Sequence, residues 1–185
     1  DYEDKQEEIV LPVGGFQETL VTNASEAEFD GVEVELVFMP LAGWTLRANG
    51  GYLDAGYNNF CAFTGNPHIV APACGPADTL GNVPRDYSGI ELRRAPKYTG
   101  SLDSTYVADI GPGEATFYLA ARYKDDYSTT FEPIPVGKAD STTIFDASLS
   151  YTWENWRLSL YGHNLTDEIS RNSALLVAGL WTFGS

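Results

Sequence analysis

Period-two alternation constrains this chain more than any other feature. Trp44, Leu46, Ala48, Gly50 and Tyr52 fall on one face of an extended segment, and Thr45, Arg47, Asn49 and Gly51 on the other. Val32, Val34, Leu36 and Phe38 alternate in the same way with Glu33, Glu35 and Val37. Tyr98, Leu102 and Tyr106 alternate with Thr99, Ser101, Asp103 and Thr105. Phe117, Leu119, Ala121 and Tyr123 alternate with Thr116, Tyr118, Ala120, Arg122 and Lys124. The run of Phe145, Ala147, Leu149, Tyr151 and Trp153 against Asp146, Ser148, Ser150 and Thr152 repeats the design, as does Trp156, Leu158, Leu160 and Gly162 against Arg157, Ser159, Tyr161 and His163. Successive side chains of a strand point to opposite faces, so each run predicts a strand with one greasy and one polar face. No amphipathic helix of useful length competes with them. The chain reads as all-β, an antiparallel up-and-down meander.

The connections come in two sizes that alternate along the chain. Pro40–Gly43, Ile110–Gly113 and Glu154–Asn155 are tight, whereas residues 58–96, 128–140 and 168–174 onward are long. An up-and-down sheet places every second connection on the same side, so one rim carries short turns and the other long loops. Outer-membrane barrels are built this way, with short periplasmic turns and longer extracellular loops. The chain contains no run of 18 or more apolar residues, which excludes a transmembrane helix but not barrel strands. Trp44, Tyr52, Tyr98, Tyr106, Tyr123, Tyr127, Trp153 and Trp156 sit at strand ends, where barrels carry aromatic girdles. A soluble β-sandwich with its greasy face turned inward has the same alternation. Loop asymmetry and the small Ser, Thr, Asn, Gly and Asp residues of the polar face favour the barrel. About seven or eight strands of a larger barrel are expected.

A net charge of −15 argues against nucleic-acid binding, which needs clustered Lys and Arg. A hydrophobic content of 43% excludes a disordered acidic tail. Cys61 and Cys74 lie in one Pro- and Gly-containing stretch. In an exported protein they read as a loop disulfide, which would stabilise the loop by about 3 kcal/mol; two free thiols are the alternative. Enzyme signals are thin: there is no nucleophile elbow, HExxH motif or P-loop. His163 alternates with Arg157 and Ser159 as a lumen-facing polar residue would, and His68 falls in the first long loop. Asp125 and Asp126, with Asp54 on the same rim, read as solvated carboxylates before they read as a metal or iron-complex site. Asn164-Leu165-Thr166 fits a glycosylation sequon but reads as a strand-to-loop turn.

Several segments then match a known family in order. Asn23-Ala24-Ser25-Glu26-Ala27-Glu28-Phe29-Asp30-Gly31-Val32-Glu33-Val34-Glu35-Leu36 resembles a recurrent segment of TonB-dependent receptor barrels. Gly51-Tyr52-Leu53-Asp54-Ala55 is similar to that family's strand end before a long extracellular loop, and Arg94-Ala95-Pro96-Lys97-Tyr98-Thr99 to the re-entry from it. Leu149-Ser150-Tyr151, followed by Asn164-Leu165-Thr166-Asp167-Glu168, looks like the penultimate hairpin. The resemblance covers nearly the whole of residues 1–185 and implies the C-terminal part of the barrel. It implies that the plug, the earlier strands and the final aromatic-ended strand lie outside this sequence. Plugged transporters of this kind have about 22 strands.

The resemblance implies a bacterial outer-membrane receptor that binds a scarce nutrient (iron–siderophore, cobalamin or oligosaccharide) and imports it with TonB-derived energy. Its partners would be outer-membrane lipid, the rest of the barrel and its plug, the TonB complex and a small-molecule ligand, with no nucleic acid and no cofactor. Glu33, Glu35, Arg47, Arg122 and Arg157 should face the barrel interior, either touching the plug, as the resemblance implies, or pairing with one another. Loop aromatics are the best ligand candidates, namely Tyr57, Phe60, Phe63, Tyr87 and Phe131, with packing of the loop itself as the alternative; Arg85, Arg93 and Arg94 could recognise an anionic group, with counter-ions to the loop acids as the simpler role. The rivals are a small closed barrel, porin or adhesin, and a soluble secreted β-sandwich binding module. A barrel hydrolase is more distant.

Overall fold

The computed structural model describes residues 2–13, 16–64, 71–79, 81–130, 134–170, 173–177 and 180–184. The alternating runs form strands: β1 (Tyr2–Val13), β2 (Phe16–Leu41), β3 (Trp44–Asn59), β4 (Tyr98–Ile110), β5 (Gly113–Lys124), β6 (Thr142–Trp153) and β7 (Trp156–Gly162). All seven belong to one sheet in which spatial order follows chain order. Each neighbouring pair is antiparallel. Among the described residues there is no α-helix, and the helical element present is a single 3₁₀ turn at Pro135–Gly137.

Leu41 faces Trp44, Ile110 faces Gly113, and Trp153 faces Trp156, so three hairpins close tightly on one rim. Gly43 takes φ 79° in the first, where a side chain would also run into the backbone of Val107. Gly111 takes φ 61° in the second and is followed by Pro112, whose ring holds φ near −65°. The other rim carries the long connections. Short ladders organise two of them, Cys61–Ala62 with Arg85–Asp86 and Tyr127–Ser128 with Lys138–Ala139. Ser173–Val177 and Leu180–Gly184 form a separate hairpin.

Register carries one phase across the sheet. Phe38 faces Leu46, Leu46 faces Ser104, Ser104 faces Leu119, Leu119 faces Ala147, and Ala147 faces Gly162. On the opposite face Glu35 meets Asn49, Asn49 meets Ser101, and Ser101 meets Arg122. A slip of one residue in any pairing would mix the two sets. The greasy face is uncovered: Val34 is 62% exposed and Leu158 77%. That overturns the β-sandwich rival, which needs a second sheet on this face. Nor does the sheet close on itself as a small barrel would; among the described residues β1 pairs with β2 alone and β7 with β6 alone.

The sequence reading missed β1 and the first half of β2. Tyr2 pairs with Ala27 and Val13 with Phe16, whereas the second half of β2, from Glu26 to Leu41, pairs with β3. At about 3.3 Å per residue, the 26 residues of β2 span roughly 86 Å, far more than a bilayer. The β1–β2 hairpin therefore extends past the rim. It needs no greasy face there, which is why it lacks the alternation of the other strands.

Candidate functional site

The two faces of the sheet exchange character at the loop rim. Below the row of Val32 and Tyr52, Val34, Leu36, Phe38, Leu46 and Ala48 put the even-numbered face on the greasy side, and Glu33, Glu35, Arg47 and Asn49 put polar groups on the odd-numbered one. Past that row the pattern inverts. Glu28, Asp30, Asp54 and Asn58 now take the outer side, and Ala27, Leu53, Ala55 and Tyr57 take the inner side. Asn58 Nδ2 donates to Glu28 Oε2 at 3.0 Å on the outer side. The inner apolar positions are covered by the long loop between β3 and β4.

The return arm of this loop binds along β3 through its backbone. The amides of Leu53 and Tyr57 donate to the carbonyls of Lys97 and Ile90 at 2.9 and 3.0 Å, and that of Leu92 donates to Ala55 O at 2.9 Å. Beneath it Tyr57, Phe60, Tyr87, Leu92, Ala27, Ala55 and Ala62 form a buried core. The Tyr57 and Phe60 rings lie 4.6 Å apart and the Phe60 and Tyr87 rings 5.8 Å apart, within the range for favourable aromatic pairs. Cys61 and Cys74 are joined by a disulfide. The Cys74 amide donates to Pro84 O at 3.1 Å, and Arg85 Nη1 donates to Ala71 O at 3.0 Å.

Of the two roles open to the loop aromatics, ligand contact from an exposed position and packing of the loop, three take the second, which corrects the expectation that they are exposed. Tyr57, Phe60 and Tyr87 are each 0% exposed and pack the loop itself. The physical reason is the exchange of faces: the loop has an apolar strand surface to fold onto, and the rings fill the space between. Phe63 is half-buried against the same core. Arg94 is exposed and takes φ 58°, unusual for a residue with a side chain. Its amide donates to Ser128 O at 2.7 Å, which ties the first long loop to the second. Phe131 and His68 lie outside the described residues.

The sequence reading did not single out Glu7. Its carboxylate is buried at the centre of the rim cluster, accepting from the Tyr57 hydroxyl at 2.7 Å and pairing with Arg93 Nη2 at 2.8 Å. Burial, followed by the bond to Glu7 and the charge of Glu7, pushes the Tyr57 hydroxyl well above its ordinary pKa, against a smaller opposing effect of Arg93. No local signal marks Glu7, which stands in an acidic opening that reads as solvated. Leu53, Ala55 and Tyr57, at odd positions after Tyr52, did carry a signal, because apolar residues on the polar face mark something packed there.

The inner face below the rim holds the other expected residues. Arg122 pairs with Asp146 across β5 and β6. Asp146 also accepts from the Asn164 amide at 2.8 Å, and His163 Nδ1 lies 3.6 Å away. Arg47 stands opposite Asp103, which accepts from the Tyr118 hydroxyl at 2.7 Å. Arg157 Nη2 reaches Ser150 Oγ at 3.5 Å. Glu33 and Glu35 are exposed, opposite Gly51 and Asn49. Mutual pairing of inner-face charges is thus present for Arg122. Asn164 is held in a turn, its side chain bonded to the backbone amide and carbonyl of Glu168 at 3.0 Å each. Asp126 pairs with Lys138 at 2.5 Å, and Asp125 accepts from the Tyr123 hydroxyl at 3.0 Å. Among the described residues no group of three or more His, Cys, Asp or Glu side chains could hold a metal ion.

Residues 1–165 match the model of a family described as TonB dependent receptor-like, beta-barrel. Two solved structures share the fold. One is the ferric yersiniabactin uptake receptor FyuA from Yersinia pestis, at 19% identity and a TM-score of 0.67, covering 89% of this chain and 22% of that one. The other is the siderophore receptor PiuA from Acinetobacter baumannii, at 21% identity and a TM-score of 0.62, covering 90% of this chain and 21% of that one. The chain spans about a fifth of the length of these receptors.

Proposed function

We propose a function that proceeds from one premise: the chain belongs to the TonB-dependent receptor β-barrel family. Receptors of this family are transporters rather than enzymes. On this reading the chain forms a section of barrel wall in the bacterial outer membrane together with part of the extracellular mouth. The observation that carries the reading is the exchange of faces at the Val32–Tyr52 row. A greasy outer surface suits hydrocarbon, an acidic outer surface above it suits water, and Tyr52 and Tyr98 stand where the two meet. From Trp44 to Tyr52 the strand runs about 26 Å at roughly 3.3 Å per residue, which at the roughly 35–45° tilt of such barrels rises about 19–22 Å, most of the roughly 25 Å apolar band.

The receptor takes a scarce nutrient at this mouth and imports it with TonB-derived energy. Iron–siderophore is the favoured class, because one similar structure is named a siderophore receptor and another a ferric yersiniabactin uptake receptor. Arg94, Arg93 and Arg85, with Phe63, are the groups of the mouth that would meet an anionic ligand. Glu33, Glu35, Arg47 and Arg157 are the inner-face charges available to the plug, with Arg122 held by Asp146.

The test is uptake of radiolabelled ferric siderophores by iron-starved cells carrying the whole receptor. Accumulation that vanishes when either the receptor or TonB is deleted supports the proposal. Unchanged accumulation on receptor deletion, across a siderophore panel, overturns the substrate class; accumulation independent of TonB overturns the energy source.

A further inference from the structure

Glu7 joins three segments that are distant in the chain. It belongs to β1, Tyr57 to the upper part of β3, and Arg93 to the return arm of the disulfide-bonded loop. The Glu7 side chain is 0% exposed, and its two carboxylate oxygens are engaged separately, Oε1 by Tyr57 and Oε2 by Arg93. A carboxylate so deeply buried is unfavourable unless it stays paired and hydrogen-bonded. Hairpin and loop therefore cannot separate without stranding the charge or letting water reach it. Ala27 of β2, 1% exposed, sits in the same core and adds an apolar contact to the ionic one.

We propose that Glu7 is a clamp that fastens the β1–β2 hairpin to the return arm of the loop between β3 and β4, making the two one body at the mouth, so that a contact made on either is felt by both. Only the word mouth rests on the transport reading; the clamp itself needs no ligand. Arg93 is then a positioned group whose guanidinium is held by Glu7 while 31% of its side chain stays exposed. The bond from the Arg94 amide to Ser128 extends the same body toward the second long loop.

Hydrogen–deuterium exchange on the full receptor folded in lipid vesicles, without ligand, tests this. The segments read are 2–13 of the hairpin, which carries Glu7, and 87–97 of the loop, which carries Arg93, with β4 as an internal control. Glu7→Gln and Arg93→Gln are each expected to speed exchange about tenfold or more in both segments, including the one that does not carry the substitution, and to leave β4 unchanged. The double variant is expected to be no faster than the faster single variant, because the two residues act as a pair. Loosening confined to the substituted segment, or a double variant whose effect is the product of the singles, overturns the clamp. Should Glu7→Gln fail to fold, Glu7→Asp is read in the same way, since it keeps the charge but shortens the reach to Tyr57 and Arg93. Because no transport is measured, the clamp can fail while the uptake reading stands, and the reverse.

Discussion

Tyr52 and Tyr98 stand side by side across the β3–β4 ladder with ring centroids 5.3 Å apart, and Val32 faces Tyr52 from β2. The three residues mark the height at which the sheet exchanges its greasy and polar faces. If that height is the edge of the bilayer, the cost of a charge should depend sharply on side and on depth.

Leu102 lies below the Tyr98 row on the greasy face, and Ser101 beside it on the polar face. Leu102→Arg should destabilise the folded receptor in lipid vesicles by about 2–4 kcal/mol, and Ser101→Arg by much less. Denaturant titration into vesicles gives both numbers. Equal costs would mean that the outer face does not meet hydrocarbon.

Phe60 is fully buried between Tyr57 and Tyr87. Phe60→Ala should weaken the loop by about 3–5 kcal/mol through lost burial and the cavity left behind. The strands below have their own ladders and should be unaffected. Limited proteolysis should therefore cut the loop of the variant while the barrel remains resistant. Cleavage no faster than in the parent would remove the loop core as the source of order.

The Cys61–Cys74 disulfide closes a segment with a sequence separation of 13. Replacing both cysteines by Ser should loosen the loop by about 3 kcal/mol. Alkylation of non-reduced protein should label neither cysteine, with intact mass as the readout. Two labelled thiols in membrane-derived material would count against an extracellular loop.

Burial and Glu7 raise the Tyr57 pKa in the folded protein above the ordinary tyrosine value of about 10. The unfolded chain therefore releases this proton first as pH rises. The contribution to loop stability is complete below about pH 10, the ordinary tyrosine value, and is lost progressively above it. Loop protection, followed by proteolysis from about pH 9 to 11, should fall with pH in the parent and fall less steeply in Tyr57→Phe, which cannot titrate. Identical slopes would show that other groups set the alkaline loss.

The lower part of the sheet was legible because its rule is local. Leu46, Ala48 and Tyr52 alternate with Arg47 and Asn49 whatever the rest of the chain does, and the short turns at Gly43 and Gly111 announce themselves by residue type. Membership of strands, their antiparallel order and the two-sided character of the sheet follow from a period of two and from connection lengths. The rim was decided by contacts between segments far apart in sequence. Tyr57 and Glu7 are 50 residues apart, and no spacing rule links them. Whether Tyr57, Phe60 and Tyr87 face solvent or one another depends on the loop folding back onto the inner side of β3, and alternation says nothing of a loop's path. The sequence alone thus determined which side of each strand is greasy, because side-chain direction in a strand is set by the backbone. Tertiary structure decided where that order inverts and what covers it, because burial there depends on segments that meet only in the folded chain.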